Sequence, residues 1–162
     1  AQNDSKTEIN KQIWEPFIQA YTTFNTEKFM ALYTADVIRI PLDQDKIFSF
    51  TEYKKEINRE NQFNKNYNIK LHLDIRFTER IHTATTAYES GVYKIHMIEN
   101  TGKEVTIYSK FQVVMKKING QWKITTDIDS AEGSKLTEKD FMAAKAMNWL
   151  KSRFKINVVG LG

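Results

Sequence analysis

Ile69-Lys70-Leu71-His72-Leu73-Asp74-Ile75-Arg76-Phe77-Thr78 alternates apolar and polar residues at every step. A strict period of two is the pattern of a strand with one buried face. Working outward, a second long strand runs from Thr85 to about Ile98, and Asn100-Thr101-Gly102 makes a turn. Val105, Ile107, Phe111, Val113 and Met115 then form the apolar face of a third long strand. Asn119-Gly120 predicts a two-residue hairpin turn with positive φ at both positions, and Trp122, Ile124, Thr126 and Ile128 line one face of the strand that follows. These strands make an antiparallel meander.

Upstream of the meander the period is helical. Ile9, Ile13, Phe17, Tyr21 and Phe24 recur at helix spacing, Ser5 and Glu8 have the spacing of a capping box, and Pro16 predicts a mid-helix kink. Thr26 is placed to cap a short second helix carrying Phe29, Met30, Leu32 and Tyr33. A short strand over Val37 to Pro41 follows, then a third helix from Thr51 that turns Tyr53 and Ile57 inward. After Ser130, Thr137 and Asp140 can cap a last helix carrying Phe141, Met142, Ala146, Trp149 and Leu150. The fold class is α+β, with N-terminal helices packed into a curved antiparallel sheet and an extra C-terminal helix. Residues 1–7 read as a flexible leader, 8–132 as the domain, and 133–162 as a helical extension and tail.

Composition narrows the chemistry. The 162 residues fit one core, and 41% hydrophobic content can offset the entropy of ordering them. The net charge of +4 is spread along most of the chain. The nearest approach to a basic stripe is Lys145, Lys151, Arg153 and Lys155, so no nucleic-acid partner is expected. With no cysteine, disulfides, thiolate nucleophiles and Cys-bound zinc are excluded. No run of about 18 apolar residues predicts a membrane span. The polar start Ala1-Gln2-Asn3-Asp4-Ser5 is what signal-peptide cleavage leaves, and equally what trimming leaves. A periplasmic or secreted location is the expectation, with the cytoplasm as the alternative.

Four ordered segments sharpen the fold: Ala31-Leu32-Tyr33-Thr34-Ala35-Asp36-Val37, Ala87-Tyr88-Glu89-Ser90-Gly91-Val92-Tyr93, Ser109-Lys110-Phe111-Gln112-Val113-Val114 and Gly120-Gln121-Trp122-Lys123-Ile124-Thr125-Thr126-Asp127. They resemble the SnoaL-like branch of the nuclear-transport-factor-2-like superfamily, which also holds the ketosteroid isomerases. The resemblance covers roughly Ile9 to Ser130 and implies a cystatin-like cone with a pocket between helices and sheet. It implies no single activity, because members include isomerases, cyclases, dehydratases and dimerisation modules. Homodimers across the second sheet face are common in such folds, so the resemblance implies a homodimer through the face carrying Tyr108, Gln112 and Val114, with a dimerising protein-interaction module as an alternative function.

Isomerases of that superfamily use an Asp before a Pro after the second helix, a Tyr on the first helix and an acid on a late strand. In this chain the resemblance places Ile40 or Pro41, Phe17, and one of Phe111, Gln112 or Val113 at those positions. None can move a proton, so that chemistry is not expected. A SnoaL-like cyclase would carry an acid on the final strand, where Asp127 and Asp129 stand as catalytic candidates. Strict alternation turns Asp127 to the face opposite Trp122, Ile124 and Ile128, which favours a structural role.

His72, His82 and His96 form no close pair, so no metal site is expected, and Glu89 is placed to pair with a cation across the strand. No phosphate loop or serine elbow exists, and no cofactor is expected. The candidate pocket residues are Phe17, Tyr21, Tyr33, Ile40, Tyr53, Phe111 and Trp122. Plain core packing explains the same set. A pocket so lined suits a small, mostly apolar molecule held by one or two polar groups.

Overall fold

The computed structural model describes residues 2–144. The first helical run begins at Gln2, so residues 2–7, expected as a leader, are its opening turns, and Ser5 lies inside the helix. It comprises α1 (Gln2–Ile9), a π-turn over Asn10–Trp14, and α2 (Glu15–Thr22). Pro16 has no amide to donate, and its ring crowds the carbonyl four residues earlier. The wide turn just before it takes up the misfit, with the Glu15 amide bonding the Asn10 carbonyl. The register shift keeps Ile9, Ile13, Trp14 and Phe17 all buried.

Asn25, not Thr26, caps α3 (Thr26–Met30), and Leu32 lies beyond its end. Tyr33 already belongs to β1 (Tyr33–Pro41), which is longer than the sequence pattern showed. Ser49 and Glu52 form a reciprocal capping box for α4 (Phe50–Asn66). This helix runs on through a polar stretch because Tyr53, Ile57 and Asn61 stay on its buried face, where the Asn61 amide donates to the Thr26 hydroxyl at 2.9 Å.

The meander is β2 (Lys70–His82), β3 (Thr86–Ile98), β4 (Glu104–Ile118) and β5 (Gln121–Ser130). Asn119 and Gly120 both have positive φ, at 52° and 80°, as the turn between β4 and β5 requires. The sheet is not wholly antiparallel. Its order is β1-β5-β4-β3-β2, with β1 added parallel to β5. The helices from α1 to α4 cover the inner face of this curved, unclosed sheet, and Trp14 lies 5.4 Å from Phe77 and 5.5 Å from Phe111 at the centre of the core.

Two bulges reverse the face reading halfway along β2 and β5. In β2, Phe77 pairs Gly91 and Glu79 pairs Ser90, leaving Thr78 as the extra residue. Arg80 and His82 therefore turn inward, while Ile81 is exposed. A Cβ on Gly91 would stand 2.0 Å from the Arg76 carbonyl oxygen, so the bulge needs a residue with no side chain there. In β5, Met115 pairs Ile124 and Val114 pairs Thr126, leaving Thr125 unpaired.

Beyond the sheet, α5 (Glu138–Ala143) has the expected capping box between Thr137 and Asp140. It lays Phe141 on the outer sheet face against Val92 and Tyr108, leaving Met142 exposed. The expected inward positions Ala146, Trp149 and Leu150, and the basic cluster from Lys145 to Lys155, lie outside the described residues. No described helix is long and apolar enough to cross a membrane.

Candidate functional site

The β5 bulge decides the site. Trp122 and Ile124 face inward as alternation requires, but the extra Thr125 shifts the phase, so Asp127 and Asp129 also face inward and Ile128 faces out. The expectation that Asp127 opposes Trp122 is thus corrected. Asp127 is 3% exposed, in register with Val113, and Asp129 is in register with Phe111. On the neighbouring edge strand, Arg39 pairs Asp127 in register and also turns inward.

These three groups form the floor of a cavity of about 120 Å³. The Arg39 guanidinium donates to Asp129 at 3.1 Å, with a second nitrogen 2.9 Å from the other carboxylate oxygen and 3.5 Å from Asp127. The Tyr33 hydroxyl donates to Asp127 at 2.7 Å. Arg39 also lies over the Tyr53 ring, 5.0 Å from its centroid. Aromatic walls come from Phe17, Tyr21, Phe29, Phe48 and Tyr53, and Glu56 and Glu60 from successive turns of α4 stand at the mouth. The Tyr93 hydroxyl is buried on the cavity wall without a hydrogen-bond partner among the described residues.

Burial pushes the Asp127 carboxyl above its ordinary value; Arg39 opposes this, Asp129 adds to it, and the Tyr33 hydrogen bond opposes it. Burial also pushes the Tyr33 and Tyr93 phenols well up, reinforced by the nearby carboxylates, so both keep their protons at neutral pH. For Arg39 burial acts against the charge, but Tyr53, Asp127 and Asp129 outweigh it and the guanidinium stays ionised. Glu60 is pushed up to about 7, by desolvation first and then by Glu56. Its residue surface remains exposed, so this reflects a crowded rim and not a deep site.

Of the residues named from sequence, Phe17, Tyr21 and Tyr53 line the cavity. Tyr33 stands behind the floor and reaches it through Asp127. Phe111 and Trp122 are core residues, each 1% exposed. Ile40 is in register with the outward Ile128, and its neighbour Arg39 holds the inward position. Arg39, Tyr93, Glu56 and Glu60 were missed. Val37, Arg39 and Pro41 share one face at period two, and so do Glu89, Gly91, Tyr93 and Ile95, so the signal for Arg39 and Tyr93 was present.

A second polar cluster lies toward the other edge of the sheet, with Glu89 in the same row as Val113 and Asp127. Glu89, 0% exposed, accepts from Trp14 Nε1 at 2.6 Å and Arg80 Nε at 2.8 Å, and meets His82 Nε2 at 2.6 Å. Burial opposes its charge, but these partners hold the carboxyl below its ordinary value. The cluster ties helix to sheet, with Arg80 Nη2 also donating to the Asn10 side chain at 2.6 Å and Arg80 Nη1 making no hydrogen bond among the described residues. Among the described residues no group of three or more His, Asp or Glu side chains converges as a metal site.

No protein-family model and no curated protein sequence matches the chain. Solved structures do. A ketosteroid isomerase-like protein from Erwinia carotovora atroseptica is 14% identical with a TM-score of 0.60, covering 79% of this chain and 96% of its own. A nuclear-transport-factor-2-like protein of unknown function from Shewanella oneidensis is 19% identical with a TM-score of 0.57, covering 76% and 98%. One from Novosphingobium aromaticivorans with a cystatin-like fold is 10% identical with a TM-score of 0.64, covering 79% and 82%. At these identities the likeness concerns the fold.

Proposed function

We propose that this domain, with its nuclear-transport-factor-2-like, cystatin-like fold, binds a small molecule about the size of one aromatic ring between α4 and the sheet. The carrying observation is Tyr93, whose buried hydroxyl has no described partner on the wall of the cavity. An unmade buried hydrogen bond costs about 1–3 kcal/mol, so a ligand group or a water completing it is favoured. The volume supports a small occupant, since a cavity of about 150 Å³ holds benzene and drug-sized sites start at roughly 300 Å³. The floor of Arg39, Asp127 and Asp129 supports a polar-headed ligand, in place of the mostly apolar one suggested by the aromatic residues alone.

The ketosteroid isomerase arrangement is not part of this reading. Phe17 lines the cavity where a phenol would be needed, and neither Ile40 nor Pro41 offers a carboxylate. A screen of ring-sized compounds by thermal shift tests the proposal. Ligand at 100 times its Kd stabilises by about 2.7 kcal/mol, or roughly 5–10 °C for a domain of this size. Tyr93→Phe should reduce that shift; if no ring-sized compound raises the Tm, the proposal fails.

A second reading, an acid–base enzyme of the dehydratase or cyclase kind using Asp127 or Asp129, is favoured by the desolvated Asp127 carboxyl at the cavity floor. Any carbonyl compound found to bind should then exchange its α-protons in heavy water, and Asp127→Asn should stop exchange without stopping binding. Binding with no exchange leaves the noncatalytic reading in place.

A further inference from the structure

Resting on that binding reading, we infer that the cavity selects a small organic cation, an ammonium group on a ring-sized body, over neutral or anionic molecules of the same shape. The lining carries four carboxylates, from Asp127, Asp129, Glu56 and Glu60, against the single guanidinium of Arg39. The Arg39 charge is already engaged, 2.9 Å from Asp129 and 3.5 Å from Asp127. Arg59, outside the lining, pairs Glu56 at 2.6 Å. When all these groups are ionised, carboxylate charge remains in excess, and the one cation of the lining is ion-paired to both aspartates, although its Nε and Nη1 make no hydrogen bond among the described residues.

The walls point the same way. Aromatic ring faces carry negative potential and attract cations within about 6 Å of the ring centre. This wall already holds one, since Arg39 stands 5.0 Å from the Tyr53 centroid. Phe17 stacks beside Tyr21 at 6.3 Å and tilts against Phe29 at 4.9 Å, giving further ring surface at the cavity. The Tyr93 hydroxyl is the independent sign of a missing partner, and its oxygen can accept from an ammonium N–H. An ammonium entering past Glu60 would meet ring faces and the Tyr93 oxygen, with the Glu56 and Glu60 carboxylates at the mouth and Arg39 held in its pair with Asp129.

Three probes of one shape and different charge test this: benzylammonium, benzyl alcohol and benzoate, titrated by NMR into the full chain at pH 8 and low salt. Benzylammonium should bind at least tenfold more tightly than benzyl alcohol, and benzoate most weakly. Tyr93→Phe should weaken benzylammonium several-fold, marking the cavity as the place. Glu60→Gln, on the exposed rim, should weaken benzylammonium about threefold and change benzyl alcohol less than twofold. If benzyl alcohol or benzoate binds as tightly as the ammonium, charge selection is overturned while the binding reading stands. If benzylammonium ignores both substitutions it sits elsewhere and the inference falls. If none of the three binds, the inference falls, and the reading beneath it is decided by the wider thermal-shift screen.

Discussion

Replacing Arg39 by Met keeps an unbranched apolar stem and removes the one cation of the cavity lining. Its side chain is 11% exposed and that of Asp127 is 5% exposed, so the pair is largely out of water. Breaking a buried pair by removing one partner costs about 3–5 kcal/mol, because the other charge is left uncompensated. Against a domain stability of 5–15 kcal/mol and a urea slope of about 2 kcal/mol per molar, the midpoint should fall by roughly 1.5–2.5 M at pH 8. The loss should shrink at pH 5. Without Arg39, the Asp127 carboxyl, already raised in the folded state, rises further, so the folded protein binds more protons than the unfolded one. Stability of the variant therefore falls as pH climbs from the unfolded value, about 3.9, through the folded one, at about 1.4 kcal/mol for each unit of separation. Adding Asp129→Asn should recover part of the loss by removing the neighbouring negative charge. A variant with an unchanged midpoint, or with the same loss at pH 5 and pH 8, would refute the claim that Arg39 compensates a buried carboxylate.

Gly91→Ala places a methyl 2.0 Å from the Arg76 carbonyl and 2.9 Å from Phe111, so equilibrium unfolding should show a loss of about 3 kcal/mol, the upper end of overpacking costs. Glu89→Gln leaves Arg80, whose side chain is 3% exposed, without its counterion; urea unfolding at pH 7 should record a loss of about 3–5 kcal/mol. Because the folded Glu89 carboxyl is depressed, its contribution is full above the unfolded value and is lost as pH falls through the folded one, so the variant should show a shallower acid transition below the ordinary value of 4.5. Glu60 has the opposite sign. Its folded value of about 7 against an ordinary 4.5 makes stability fall as pH rises through that interval, and Glu60→Gln should flatten that part of a Tm-against-pH curve.

The fold was legible because its strands obey their period where it matters most. Ile69 to Phe77 alternates cleanly, Asn119-Gly120 sets the last hairpin, and Thr137 with Asp140 caps the last helix as expected. The site was less legible because it depends on two phase shifts. Nothing in Thr125-Thr126 marks a bulge: no glycine stands there, and Trp122, Ile124, Thr126 and Ile128 continue an uninterrupted alternation. One extra residue then exchanges the faces of everything after it, bringing Asp127 and Asp129 into the cone. Thr78 does the same for Arg80 and His82, although Gly91 opposite it was a visible sign of close backbone approach. The parallel pairing of β1 with β5 was also hidden, since a strand's pattern shows its buried face and not its neighbour. Without that pairing Arg39 could not be set beside Asp127, and Ile40 was chosen one residue away.

Folding thus sets buried charges toward the two edges of one sheet with different consequences. The Glu89 cluster closes on Trp14, Arg80 and His82 and holds the first helix to the strands. The Arg39 cluster opens onto a hollow wall with an unmatched hydroxyl. The first ties helix to strands, and the second is the place proposed for a ligand.

The seven tyrosines make the binding claim directly measurable. With ring-labelled tyrosine, a ring-sized ligand added to the full chain should move the signals of Tyr21, Tyr53 and Tyr93 together, because all three line the cavity. Tyr67, Tyr88 and Tyr108, which do not line it, should stay in place. If every compound that binds moves only those outer tyrosines, or if no compound moves Tyr93, the cavity is not a binding site and the account of this protein's function is wrong.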